Sequence, residues 1–114
     1  MTEEIPKELQ KKYIPMTETT YYTLLALISA RHGYAIMQFV SKLTNERIKL
    51  GTGTLYTMVG RLITDGLIIL IDNDSGKKTY QITKLGITLL SIETTRLQAQ
   101  LENGINLLGG LKNE

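Results

Sequence analysis

Residues 51–71 read GTGTLYTMVGRLITDGLIILI. A small, hydroxyl-rich opening runs into a helical pattern, with Leu55, Val59 and Leu62 at i, i+4 and i+7 and Met58 and Ile63 beside them. Asp65-Gly66 stops that helix, and LIILI leaves as a β-branched strand. The side opposite the apolar stripe carries Thr, Tyr, Gly and Arg, where a helix built only to pack would carry Glu and Lys. Such a face can come close to another surface and hydrogen-bond to it.

Upstream, MTETTYYTLLALISARHG (16–33) begins a helix. Thr17 can cap it, Glu18 suits its positive end, and Tyr21, Leu24, Leu25 and Ile28 recur at three-to-four spacing; Gly33 is expected to end it. A second helix follows with Ile36, Val40 and Leu43 on one stripe, and Asn45 is its expected terminator. Residues 48–50 read as a short β-like piece before the glycines, and Thr52 and Thr54 are candidate caps for the third helix.

Downstream, DNDSG (72–76) reads as a tight turn and KKTYQIT (77–83) as an alternating strand with Tyr80 and Ile82 on one side. Residues 84–111 form one helical pattern of about seven turns. Leu90, Leu97, Leu101, Ile105 and Leu108 give its apolar stripe, with Gln98, Gln100, Glu102 and Asn106 off it. Gly104 weakens that helix by about 1 kcal/mol relative to Ala, so its last turns are expected to fray before Gly109-Gly110. Residues 1–16 read as an arm or short helix, with Ile5, Leu9 and Tyr13 at spacing four, packing against this last helix.

Composition narrows the function. A chain of 114 residues with 42% hydrophobic and 21% charged residues is one ordinary globular domain. Cysteine is absent, which excludes disulfides, thiolate chemistry and the usual zinc frameworks. No apolar run approaches membrane-spanning length and the N-terminus lacks signal-peptide order, so the expected compartment is the cytoplasm. Net charge is only +2, but residues 31–61 hold Arg31, Lys42, Arg47, Lys49 and Arg61 against Glu46 alone, and Lys77, Lys78 and Lys84 form a second basic group. Local basicity of this kind suits a polyanion-facing surface.

Three compact helices followed by a hairpin make a mainly α (α+β) winged helix-turn-helix, residues 17–83, with a long C-terminal helix at 84–114. In that module the second helix of the helix-turn-helix enters the DNA major groove, so its outer side must be short or hydrogen-bonding and free of acid. The candidates for DNA contact are Lys49, Thr52, Thr54, Tyr56, Thr57 and Arg61, with Lys77 and Lys78 on the wing. Thr57 and Arg61, one turn apart, suit base edges; the threonine and tyrosine hydroxyls and the backbone N–H groups at the helix start suit phosphates.

The blocks TYYTLLALISARHGYAIMQFV, GTGTLYTMVGRLITDGLI and GKKTYQITKLG resemble those of the PadR family of bacterial transcriptional regulators. The shared marks are His-Gly-Tyr near the second helix, Gly-Thr-Leu-Tyr leading to Arg-Leu and Gly-Leu-Ile, and a Tyr-x-Ile-Thr-x-x-Gly exit from the wing, spanning 17–86. The single C-terminal helix is similar to the smaller PadR subfamily. The resemblance implies a homodimeric repressor on a pseudo-palindromic operator, released by a small aromatic or cationic, drug-like effector. Gly60 departs from the longer, often charged residue usual in the family. The absence of Trp, with Leu97 at the approximate equivalent position, argues against stacking of a flat drug between tryptophans at the dimer centre.

The same residues admit other readings. His32, the only histidine, suits a helix end better than a metal ligand, and no cofactor is expected. Tyr21, Tyr22 and Tyr34 read as packing residues. The C-terminal stripe, with Leu90, Leu97, Leu101, Ile105 and Leu108, suits a dimer seam better than a membrane contact, because its polar side is poor in basic residues. An enzyme is not expected, for want of a nucleophile–base pair or paired carboxylates. The alternative function is a winged-helix module that binds protein or a small molecule without DNA.

Overall fold

A computed structural model describes residues 5–72 and 76–112. Eight elements follow in order: α1 (Lys7–Tyr13), α2 (Glu18–Ala26), β1 (Arg31–His32), α3 (Gly33–Leu43), α4 (Thr52–Thr64), β2 (Ile68–Asp72), β3 (Lys78–Ile82) and α5 (Lys84–Lys112). The molecule is mostly helical, with one antiparallel sheet in the order β1-β3-β2. Most of the turn expected at 72–76 lies outside the described residues.

Thr17 caps α2 as its sequence suggests, its hydroxyl accepting from the Thr20 N–H at 3.2 Å. The helix does not reach Gly33. It ends at Ala26, and the Leu27 carbonyl accepts from the Ile82 N–H at 2.8 Å. Residues 31 and 32 then pair with β3, Arg31 opposite Tyr80 and His32 opposite Thr79. The wing therefore has three strands rather than the two of a simple hairpin. The backbone leaves helix here because β3 offers a row of partners that continued helix could not reach.

Residues 48–50 are not a strand either. Asn45 and Glu46 turn the chain at φ 52° and 65°. The Thr44 hydroxyl then donates to the Val40 carbonyl at 2.8 Å and accepts from the Ile48 N–H at 3.1 Å. The connection is thus pinned locally while Leu50 drops into the core. Asp65 and Gly66 do close α4, Gly66 with φ 76°.

One core joins the elements: Leu24 and Leu27, Ile36 and Val40, Leu55, Val59 and Leu62, Leu67 and Ile68, Tyr80 and Ile82, and Leu89 and Leu90 are buried together. Burial of this apolar surface is the main term holding the helices to the sheet. Gly86 lets α5 start flush against it, since a β-carbon there would run into the Leu67 carbonyl and Ile82. Beyond Leu90 the helix leaves the core. Its 29 residues run unbroken to Lys112, through Gly109-Gly110 without the expected fraying. They project from the body and give the molecule extents of 62 × 35 × 23 Å.

Candidate nucleic-acid interface

The amphipathic split of α4 is realised except at Ile63, which the sequence places beside the apolar stripe and which is exposed. Leu55, Met58, Val59 and Leu62 are buried, while Thr52, Gly53, Thr54, Tyr56, Thr57, Gly60 and Arg61 are exposed. Gly51 stands at the N-cap with no side-chain cap, so neither Thr52 nor Thr54 serves as one. Their hydroxyls face outward instead, next to the uncapped N–H groups of the first turn, where the helix dipole favours an anion. No acidic residue lies in that turn.

Between the start of α2 and this face runs a groove of about 500 Å³, edged by Thr17, Thr19, Gly53, Thr54, Thr57 and Arg61. Arg61 does not simply reach outward. Its guanidinium lies 5.4 Å from the Tyr13 ring centroid, with Nη2 3.5 Å from the Thr20 hydroxyl. It is held along the groove wall, pre-positioned between α1 and α2.

The other basic candidates divide by partner. Lys49 is exposed beside the start of α4, with Glu46 at 3.8 Å. Arg47 is engaged by Glu18 through contacts of 2.7 and 2.8 Å, and Arg31 stacks 4.2 Å over Phe39. Lys77 and Lys78 are exposed at the start of β3 and make no ion pair with a described residue. The structure thus brings Thr52, Thr54, Tyr56 and Thr57 onto one open face with Arg61 at its edge, and sets Lys77 and Lys78 on the wing.

Tyr56 packs and presents a tip at once. It is 47% exposed, and its ring end sits so close to Gly33 that a β-carbon there would collide with the hydroxyl. His32, expected at a helix end, stands on β1 just before α3, its Nδ1 3.1 Å from the Thr79 hydroxyl and 3.3 Å from the Lys78 carbonyl. Tyr21 and Tyr22 are half-buried, Tyr21 bridging to Thr94 of α5 at 2.7 Å.

Sequence reasoning missed two polar anchors. The Tyr13 hydroxyl donates to Asp65 Oδ2 at 2.6 Å, and Lys12 joins at 2.8 Å. Burial, then Asp65, pushes the Tyr13 phenol well above its usual range; Lys12 first, and Tyr13 next, hold the Asp65 carboxyl below its own. Glu93, 1% exposed, accepts from the Met16 N–H at 3.0 Å and from Arg96 at 2.6 and 2.9 Å, and Arg96 chiefly lowers its pKa. The i, i+3 spacing of Glu93 and Arg96 was the one visible signal.

Of the stripe on α5, Leu90 belongs to the subunit core at 6% exposure, because α2 covers the first turns of the helix. Leu97 is half-buried. Leu101, Ile105 and Leu108 are exposed, as are Leu107 and Leu111. Among the described residues no helix is long and apolar enough to cross a membrane, and no His, Asp and Glu group could hold a metal ion.

An open-faced second helix of a helix-turn-helix beside a small antiparallel wing defines the winged-helix DNA-binding fold of transcriptional regulators. Residues 23–91 match the model of the transcriptional regulator PadR-like family, and the chain belongs to that family. Among solved structures it is similar to a PadR family transcriptional regulator from Eggerthella lenta, at 23% identity and TM-score 0.64, over 90% of this chain and 83% of that one. A transcriptional regulator from Clostridium thermocellum matches at 23% identity and TM-score 0.65, over 90% and 96% of the two chains. RosR of H. salinarum matches at 24% and TM-score 0.59, over 77% and 76%. No curated protein matches the chain in sequence.

Proposed function

We propose that this regulator is a repressor that binds a pseudo-palindromic operator as a homodimer in the cytoplasm. The observation that carries this reading is the acid-free outer face of α4, where Thr52, Thr54, Tyr56 and Thr57 stand exposed and Arg61 is held along the edge. Threonine and tyrosine hydroxyls with first-turn N–H groups suit phosphates, and Thr57 with Arg61 suits base edges. Lys49, Lys77 and Lys78 supply sequence-independent attraction to the flanking backbone.

Pairing through α5 supports the operator geometry. Leu101, Ile105 and Leu108 form an apolar stretch that no described residue covers, and a second copy lying against it removes that surface from water. Two-fold symmetry then presents two α4 helices to successive major grooves, about 34 Å apart. Release by a small aromatic or cationic effector completes the reading. The apolar groove between α2 and α5, about 440 Å³ and lined by Leu25, Ile28, Ile87 and Leu90, supports it.

The test is a fluorescence-anisotropy titration of the full-length protein against duplexes carrying the inverted repeats found upstream of its own gene and its neighbours. Tight binding of two protomers to one such duplex, with scrambled duplexes weaker and strongly salt-dependent, is the expected outcome. Equal, weak and salt-insensitive binding of every duplex would leave a module that does not read DNA.

A further inference from the structure

Arg61 differs from the other basic side chains near the candidate interface in what holds it. Arg47 meets the Glu18 carboxylate at 2.7 Å, Lys49 stands 3.8 Å from Glu46, and Lys12 lies 2.8 Å from Asp65. Arg61 is exposed and makes no ion pair with a described residue. Its guanidinium instead lies 5.4 Å from the Tyr13 ring centroid, and Nη2 donates to the Thr20 hydroxyl at 3.5 Å. A ring face holds a guanidinium without cancelling its charge and leaves most of its N–H donors open.

Both supports are themselves fixed. Tyr13 is 4% exposed, and its hydroxyl donates to Asp65 Oδ2 at 2.6 Å. Thr20 is buried as well, and its hydroxyl oxygen also accepts from the Thr17 hydroxyl at 3.0 Å. Asp65 has a second bearing on Arg61. It lies four residues further along the chain, the spacing at which opposite charges on a helix meet. Lys12 and Tyr13 occupy that carboxylate. The arm thus gives Arg61 a ring to lie on and takes away the acid that would otherwise claim it.

We propose that Tyr13 is a positioning residue for DNA recognition: its ring holds the Arg61 guanidinium, still unpaired, in the conformation that meets the duplex. An arginine free in solvent gives up its side-chain freedom on binding, whereas one already laid on a ring has less to give up. The role in DNA recognition rests on the reading above; the placement of Arg61 does not.

The experiment has one arm without DNA and one with it. In the free full-length protein, the Nε–Hε heteronuclear NOE of Arg61 should be that of an ordered side chain in the wild type and in Tyr13→Phe. In Tyr13→Leu it should fall toward that of a mobile one. An Arg61 as mobile in the wild type as in Tyr13→Leu overturns the proposal. In anisotropy titrations with the tightest-binding inverted-repeat duplex, Tyr13→Leu should weaken binding about three- to tenfold. Tyr13→Phe should weaken it by less than about twofold, although both variants lose the bond to Asp65. Adding Tyr13→Leu to Arg61→Ala should cost no further affinity. Additive losses, or equal losses in the Phe and Leu variants, make Tyr13 a structural residue only and overturn the proposal. Should Tyr13→Leu fail to fold, Thr20→Val removes the second hold on Arg61 with little change of shape. It should raise Arg61 mobility and weaken the same duplex at least about twofold, and no change in either quantity overturns the proposal. A wild type that binds no duplex at low salt refutes the DNA reading and the proposal with it. Wild-type binding that Tyr13→Leu leaves untouched refutes the proposal alone.

Discussion

The Tyr13 hydroxyl donates to Asp65 at 2.6 Å, fastening α1 to the C-cap of α4 across 52 residues of sequence. Three residues further on, the Met16 N–H donates to buried Glu93 of α5 at 3.0 Å. The N-terminal arm therefore touches both the helix proposed to read DNA and the helix proposed to pair subunits. Tyr13 also lies beneath the Arg61 guanidinium, so the arm shapes the edge of the candidate interface.

Tyr13→Phe keeps the ring under Arg61 and removes only the hydrogen bond to Asp65. It should lower stability by about 1 kcal/mol, read as a shift of the urea midpoint at neutral pH with an unchanged slope. An unchanged midpoint would show that the arm is held by apolar contact alone.

Acid should loosen the arm first. Lys12, then Tyr13, hold the Asp65 carboxyl below its ordinary range, and Arg96, then the Met16 N–H, do the same for Glu93. A lowered folded-state pKa contributes stability that is present above the unfolded value, near pH 4, and is lost as pH falls through the folded value. Urea titrations from pH 7 to pH 3 should show stability falling only at the acid end. Glu93→Gln should cost about 1–2 kcal/mol at pH 7 and flatten that fall. A variant curve parallel to the wild type would remove Glu93 from the account.

The glycines divide by surroundings. A β-carbon at Gly33 would strike the Tyr56 hydroxyl and one at Gly86 would strike the Leu67 carbonyl, whereas Gly60 faces open space. Gly86→Ala should destabilise by about 1–3 kcal/mol because the obstacle is backbone, whereas Gly33→Ala should cost less because the exposed end of the Tyr56 side chain can swing aside. Gly60→Ala should stabilise α4 by up to about 1 kcal/mol. Thermal unfolding of the three variants checks the order.

Leu101→Asp and Leu108→Asp place charge on the uncovered stretch of α5. Sedimentation equilibrium should show dissociation to monomer with the fold retained, and operator affinity should drop at least tenfold because two linked contacts become one. A dimer that survives both changes would move the seam elsewhere.

Lys78→Ala should weaken specific and random duplexes alike and lower the slope of log K against log salt by about one unit. Arg61→Ala should weaken the operator more than random DNA. Salt titrations of both variants separate a phosphate contact from a base contact.

Much of the design was legible in the chain. The periodicity of Leu55, Val59 and Leu62, Asp65-Gly66 and the alternation ending in Tyr80 and Ile82 placed α4 and the wing, because each is a local pattern tied to one backbone geometry. The outward composition of α4 was equally readable, since periodicity assigns the faces of a helix. The two-residue β1 was not: a strand that short has no period, and its existence depends on what β3 offers from almost 50 residues away.

Local patterns in the chain thus encode helices α2 to α5, strands β2 and β3, and the hydroxyl-rich, acid-free outer side of α4. Long-range packing alone makes Leu90 core while Leu101, Ile105 and Leu108 stay open, lays Arg61 against Tyr13, and sets Glu93 and Asp65 as anchors of the arm. The difference is one of range. Apolar spacing encodes which face of an element turns inward, but an ion pair or hydrogen bond between distant segments exists only once packing has brought them within about 3 Å.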